Sequence, residues 1–455
     1  MSDPVVITVS GEAPAGLVTE QEYAEREAAR PPSGGGSSFG VSVTTEAEMR
    51  GALPIGGMIC VNVKGVLPLT VPEVVKLTAP GTVLCGLGKH TTALAIKEEN
   101  PNNISFWTAA KNLTIRDITL DSEFHTWHTV YGDCDSNPSG LLLENIRIQN
   151  CNDGWKYVGA IWAAPCLSLT FRNSEIIDFK GRGMFLDCDI ADPVIENFYL
   201  RGTGDDLTTN TGIWIGQGIL GGRICNGKIE HCALNGLETF YPQCYPTKSQ
   251  LSRDNPFGCG MVISNIEMDG ITNIACSLAG LKRGVVSNIH IRNAGAGMEY
   301  IDEICEQDGV PLYSDYLASN VTVANIKGVG ITIHRLKRGR FTNHVVTDCG
   351  SFGVQIYDGA EEVVFSDSTI QRCADRMVFC NGAPSSVITG NTFLKAPGDR
   401  AAFGFYAYGG KHIFANNILR GGLKSGVGEA SVLTAPGVPA VVSGGVFTDC
   451  HNYRF

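Results

Sequence analysis

The chain is poor in charge. Only 18% of its residues are Asp, Glu, Lys or Arg, and the formal net charge is −11. No face-wide basic excess exists to neutralise phosphates, so nucleic acid is not an expected partner. Long apolar runs are also lacking. No stretch reaches the roughly 18 apolar residues of a membrane-crossing helix, so no membrane insertion is expected. Met1-Ser-Asp-Pro-Val-Val-Ile-Thr8 has no basic region and no long apolar core, so we expect no signal peptide and synthesis in a cytoplasm. The 16 cysteines include no C-x-x-C pair and are irregularly spaced. A disulfide framework or zinc site is therefore not expected. Cys151, Cys188, Cys232, Cys276, Cys349 and Cys373 read instead as small, reduced, buried side chains.

What the chain has in quantity is glycine, 55 residues of it, and a short motif that recurs along most of its length. The motif is Asn or a small residue, then apolar–x–apolar, then Asn, Asp or Gly. Asn112-Leu-Thr-Ile-Arg-Asp117, Asn145-Ile-Arg-Ile-Gln-Asn150, Asn288-Ile-His-Ile-Arg-Asn293 and Asn320-Val-Thr-Val-Ala-Asn325 are copies. Each reads as a period-two strand closed by a turn residue. Copies recur mostly at roughly 21–32 residues, too far apart for hairpins, which indicates a β-solenoid. One such strand cannot bury its apolar face alone, whereas stacked coils line those faces up inside. Asparagine suits the turn because it tolerates left-handed backbone angles and can bond its equivalent in the next coil. About a dozen coils at ~4.8 Å each would make a rod on the order of 60 Å long.

Four segments are expected. Residues 1–43 form an N-terminal particle-binding segment, with a capping box at Thr19–Glu22, a short helix over 20–30 marked by Tyr23, and a Pro/Gly/Ser linker at 31–38. Residues 44–100 open and cap the solenoid, 101–425 are its body, and 426–455 are a last coil or cap. In the opening segment, 43–53 is helical in pattern, and apolar strands follow around 58–63, 71–77 and 81–87.

A second repeat, Gly–apolar–x–apolar, locates a face. It occurs at Gly183, Gly212, Gly236, Gly297, Gly330, Gly353 and Gly404. In a stack the x positions lie side by side and point outward: Phe185, Trp214, Glu238, Glu299, Thr332, Gln355 and Tyr406. Just beyond lie Gln217, Tyr241, Asp302, Arg335 and Asp358, with His334 and Tyr357 adjacent. Aromatics stack on sugar rings, and carboxylates and amides bond hydroxyls. Trp214, Tyr241, His334, Arg335, Gln355, Tyr357 and Asp358 are therefore candidate substrate-binding residues, and Glu238, Glu299 and Asp302 candidate catalytic ones. With one coil between them, Glu238 and Glu299 should have backbones about 10 Å apart, so that leaning side chains could reach the ~6.5–9.5 Å of an inverting glycosidase pair. Asp302, Arg335 and Asp358 also read as an ion ladder, and the whole face as a subunit contact.

Other signals are weaker. Asp205-Asp206 is similar to the paired aspartates of polygalacturonases, without that family's further elements. Asp187, Asp189 and Asp192 read as a calcium site or a solvated turn, and His125 with His128 as a metal pair or a plain loop. The basic run from Arg335 to Arg340 reads as a local anion site or a solvated turn. No metal and no cofactor is expected.

The helix and strands of the opening segment, with the turn at Gly86-Leu-Gly88, resemble the start of the pectate-lyase superfamily. With the long repeat and the N-terminal preface, the chain resembles a phage tailspike or tail fibre of that superfamily. The resemblance implies an all-β, right-handed parallel β-helix assembled as a homotrimer, located in the virion and bound to tail or baseplate proteins through residues 1–43. It implies a partner, bacterial surface polysaccharide, that such proteins bind and often cleave. A free pectate-lyase-like lyase or glycoside hydrolase, or a purely structural virion protein, are the alternatives.

Overall fold

The computed structural model describes residues 40–447, apart from 100–101, 133–139, 152–158, 164–167, 206–207, 240–259, 282, 303–305, 308–309, 312–313, 396–402, 409, 421–431, 435–439 and 444–445. The chain divides into two units, Met1–Ser38 and Phe39–Phe455. The helix expected at 20–30 and the linker at 31–38 lie outside the described residues.

The second unit is a parallel β-solenoid, as the repeat predicts. One sheet stacks 14 strands, from Val75–Leu77 at one end to Val432–Thr434 at the other. A second set of 23 strands winds along the rest of the coil. Among the described residues, every pairing within these two sheets is parallel, and the one antiparallel pair is a small ribbon, Glu306–Gln307 with Val310–Pro311. Among the described residues, the one helix is Glu46–Ala52. Thr45 caps it: its hydroxyl accepts from Glu48 N at 3.2 Å, while the Glu48 carboxylate accepts from Thr45 N at 3.1 Å. Met49 and Ala52 face inward.

The asparagine motif does what its chemistry allows. Asn226, Asn265, Asn288 and Asn320 all hold φ of 54–55°. Each amide then bonds its equivalent one coil away: Asn265 to Asn226 at 2.9 Å, Asn288 to Asn265 at 2.9 Å, and Asn320 to Asn288 at 3.0 Å. Between the turns, inner positions stack in register. Leu143, Phe171, Ile195, Ile224 and Ile263 form one such column and are fully buried. The cysteines join this core. Cys151, Cys232, Cys276, Cys349 and Cys373 are buried, and burial pushes the Cys151 and Cys232 thiols up to about 12.

The Gly–apolar–x–apolar repeat marks a corner too tight for a side chain. A Cβ on Gly212 would lie 2.5 Å from the carbonyl oxygen of Gly236, and one on Gly297 2.2 Å from that of Gly330. Gly297→Ala should therefore cost about 1–3 kcal/mol of folding stability. Gly51→Ala is the control: it sits in the helix, where nothing lies within 4 Å, and should be neutral or slightly stabilising. Denaturant midpoints of the two variants would check both signs.

Candidate functional site

The 14-stranded sheet presents one outward column along its length. Trp107, Tyr131, Trp162, Phe185 and Trp214 occupy successive rungs. Glu238, Ser277 and Glu299 take the next three. Thr332, Gln355, Phe379 and Tyr406 follow, with Lys76 and Leu433 on the two terminal rungs. Sequence reasoning found the members preceded by Gly two residues earlier. It missed Trp107, Tyr131, Trp162, Ser277 and Phe379, where Ser105, Thr129, Ala160, Ala275 and Met377 hold that position. The outward half of the strand alternation was the signal available for them.

Glu238 and Glu299 are brought together with one rung, that of Ser277, between them. Asn235 donates to Glu238 Oε2 at 2.8 Å, and the Ser277 hydroxyl donates to Glu299 Oε2 at 2.8 Å. Burial holds the Glu238 carboxyl above its ordinary range, and the Glu299 charge adds to this. The Asn235 bond and the Arg182 charge oppose it without reversing it. Two carboxyls on one face thus sit in different surroundings.

A second outward row runs beside the first. His334 pairs with Ile301 on one side and Tyr357 on the other. The His334 and Tyr357 rings stack at 4.4 Å and 3°. His334 Nε2 lies 2.8 Å from Asp358 Oδ2, and Arg335 Nε donates to the same oxygen at 2.9 Å. These contacts hold the Asp358 carboxyl below its usual range. Burial, then the charges of Glu299 and Asp358, push the Tyr357 hydroxyl up.

Three candidates need revision. Asp302 is turned into the core, 1% exposed, where its carboxylate accepts from the Ser314 hydroxyl at 2.7 Å. It belongs neither to the acid–base set nor to an outward ion ladder. Trp214 faces outward but is 9% exposed, stacked on Phe185 at 4.5 Å and beneath the Arg182 guanidinium at 5.1 Å. It has little ring face left for a sugar, and it stands beside Glu238 on the next rung of the column. His128 is buried, 3.1 Å from the Gly159 carbonyl and packed on Tyr131 and Trp162, so it does not pair with His125 around a metal. Tyr241, Asp206 and the side chains of Asp187, Asp189 and Gln217 lie outside the described residues. The basic run is occupied by ion pairs: Arg335 with Asp358, Lys337 with Glu361, and Arg338 with Asp315.

The architecture is that of a right-handed parallel β-helix. Residues 308–435 match the family model of the right-handed beta helix region. No curated protein matches the chain in sequence. Several solved structures are similar to the chain. The A-module of the mannuronan C-5 epimerase AlgE6 of Azotobacter vinelandii is 15% identical, with a TM-score of 0.48 over 88% of this chain and 94% of that one. The catalytic domain of a GH87 α-1,3-glucanase, solved with tetrasaccharides, is 13% identical, with a TM-score of 0.50 over 92% and 70%. Tailspike protein 3 of bacteriophage CBA120 is 11% identical, with a TM-score of 0.43 over 90% of this chain and 59% of that one. At these identities the likeness is one of fold.

Proposed function

We propose that the protein is a tailspike-type receptor-binding protein. Its outward column holds a bacterial surface polysaccharide, and Glu238 and Glu299 hydrolyse it. The observation that carries this reading is the pair itself: two carboxyls in register on one outward column, each one rung from a shared neighbour, with burial raising the Glu238 carboxyl above its ordinary range. Two rungs separate their backbones by about 10 Å, close to the spacing that admits a water between an acid and a base. Glu238 would give its proton to the glycosidic oxygen as the C–O bond breaks. Glu299, held by Ser277, would take a proton from the water that forms the new bond. His334, Arg335, Tyr357 and Asp358 would contact sugar hydroxyls beside the cut, and Gln355 would do so along the column. A glucanase that shares the fold is solved with tetrasaccharides, which is compatible with this use of the scaffold.

Incubation of the full chain with a panel of capsular and O-polysaccharides, read by viscosity and reducing ends, tests it. New reducing sugar without unsaturation supports hydrolysis. An ultraviolet-absorbing unsaturated product would favour the lyase reading. Absence of both binding and cleavage on every host would favour a structural role.

The homotrimer and the virion location belong to the same proposal. The N-terminal preface is suited to attachment, to tail or baseplate proteins, and the outer face of the larger sheet is suited to subunit packing. Val262, Val285 and Leu317 stand in register there, 39%, 37% and 51% exposed, and Ile413 is 44% exposed further along. An exposed apolar stripe of this kind is suited to such a contact. Leu317→Asp combined with Val285→Asp should shift the mass in light scattering from three chains to one. A wild-type monomer at micromolar concentration would remove the trimer.

A further inference from the structure

The outward column does not end at the carboxylates. Beyond Glu299 it passes Thr332 and Gln355 and reaches Phe379 and Tyr406. There a second cluster is built. Phe379 lies 5.7 Å from Tyr406 and 4.9 Å from Phe352. The Arg376 guanidinium sits over all three rings, at 4.9, 4.6 and 5.6 Å respectively. Arg376 Nη1 donates to Asp375 at 2.8 Å, while its Nε is buried with no acceptor among the described residues. Phe352, Phe379, Tyr406 and Arg376 are half-buried, unlike Phe185 and Trp214 in the middle of the column.

We propose that Phe352, Phe379 and Tyr406, with Arg376, form a remote sugar-binding subsite for a neutral pyranose of the same polysaccharide. This rests on the reading that the column holds a glycan, and it adds what that glycan must be. Half-exposed rings offer an apolar platform to a pyranose face. Arg376 is pinned on the rings, so its remaining donors are already oriented and lose little freedom on meeting a hydroxyl. Its charge is offset by Asp375, which favours hydroxyls over a sugar carboxylate. Tyr406 is four rungs from Glu299, about 19 Å along the axis. One rung is close to the advance of one pyranose residue. The site therefore takes a chain of at least four sugars lying along the solenoid, and cuts inside it rather than trimming ends.

The test uses the full chain and an oligosaccharide ladder, made by partial acid hydrolysis of the polysaccharide that the wild type retains. Binding is measured by calorimetry for a disaccharide and an octasaccharide. Tyr406→Ala and Arg376→Gln should each weaken octasaccharide binding about tenfold and leave the disaccharide unchanged. Tyr406→Trp, which keeps a ring, should restore it. Arg376→Gln leaves the aromatic packing in place, so it remains informative if Tyr406→Ala fails to fold. Octasaccharide binding unchanged in both variants overturns the subsite while leaving the parent reading intact. Equal weakening of both lengths also overturns it. A wild type that retains no polysaccharide overturns both.

Discussion

Glu299→Gln and Glu238→Gln should each lower the rate of polysaccharide cleavage by about 10²–10⁴-fold and leave binding nearly intact. The substitution is close to isosteric, and each amide can still take part in hydrogen bonding. The Glu238 variant carries a second signature. Burial raises the Glu238 pKa above its unfolded value of 4.5, so ionisation is harder in the fold than in the unfolded chain. Stability from this position is full below pH 4.5 and is lost as pH rises through the folded pKa. Glu238→Gln never ionises. It should be more stable than the wild type at neutral pH and no more stable below pH 4.5, while being almost inactive. The alkaline limb of the pH–rate profile belongs to the same group, since the acid must be protonated to act. Thermal midpoints at two pH values, with one reducing-end assay, separate the two effects. Full activity in both variants would move the chemistry elsewhere on the column.

Much of this arrangement is legible in the sequence because a solenoid converts repeat spacing directly into neighbourhood. Asparagine marks the left-handed turn, as the φ of 54–55° at Asn226, Asn265, Asn288 and Asn320 bears out. Glycine marks the corner, where a Cβ would meet the next coil's carbonyl oxygen, and two residues later the chain points outward. That rule placed Glu238 and Glu299 with one rung between them. It fails where another small residue or Met377 accommodates the corner, which is why Ser277 and Phe379 were missed. The end of the strand is harder. Glu299 points out, Tyr300 in, Ile301 out and Asp302 in, by simple alternation. Arg335 and Asp358 escape the same inward turn because both adopt left-handed angles, φ 53° and 48°, and Asp302 is not among the left-handed residues. A sequence names the residue after a strand without fixing that angle. Depth is hidden too. Phe185 and Trp214 on successive rungs occupy each other's faces, which no list of outward positions reveals.

Lowering the pH from 7 to 4 should destabilise the solenoid by several kcal/mol, through two histidines that the candidate chemistry does not use. His128 packs against Tyr131 and Trp162, and His344 sits between Phe341 and Phe365 in the core. Burial pushes each from its ordinary 6.5 down to about 4. For a histidine with a depressed folded pKa, the unfolded chain binds the proton first. The stabilising contribution is complete above pH 6.5 and is lost as pH falls from 6.5 towards 4. A depression of that size corresponds to about 3 kcal/mol per histidine, so the pair accounts for about 6 kcal/mol. The lowered carboxyls of Asp269, Asp348 and Glu230 start from unfolded values of 3.8 to 4.5, so their own losses begin near the bottom of this window. Burial also lowers His290, so the slope between pH 6 and 4.5 is mainly a histidine slope, to which His128 and His344 contribute about 2 kcal/mol per pH unit between them. His344→Phe keeps an aromatic ring among Phe341 and Phe365 and removes one titration. Denaturant unfolding across this range should show the slope reduced by about 1 kcal/mol per pH unit in the variant. An unchanged slope would mean that His344 is protonated without cost in the fold. The Glu238 term runs against this slope, because its protonation relieves a buried charge as the pH falls. A wild-type slope shallower than the histidine sum, restored by Glu238→Gln, would place all three groups in one titration.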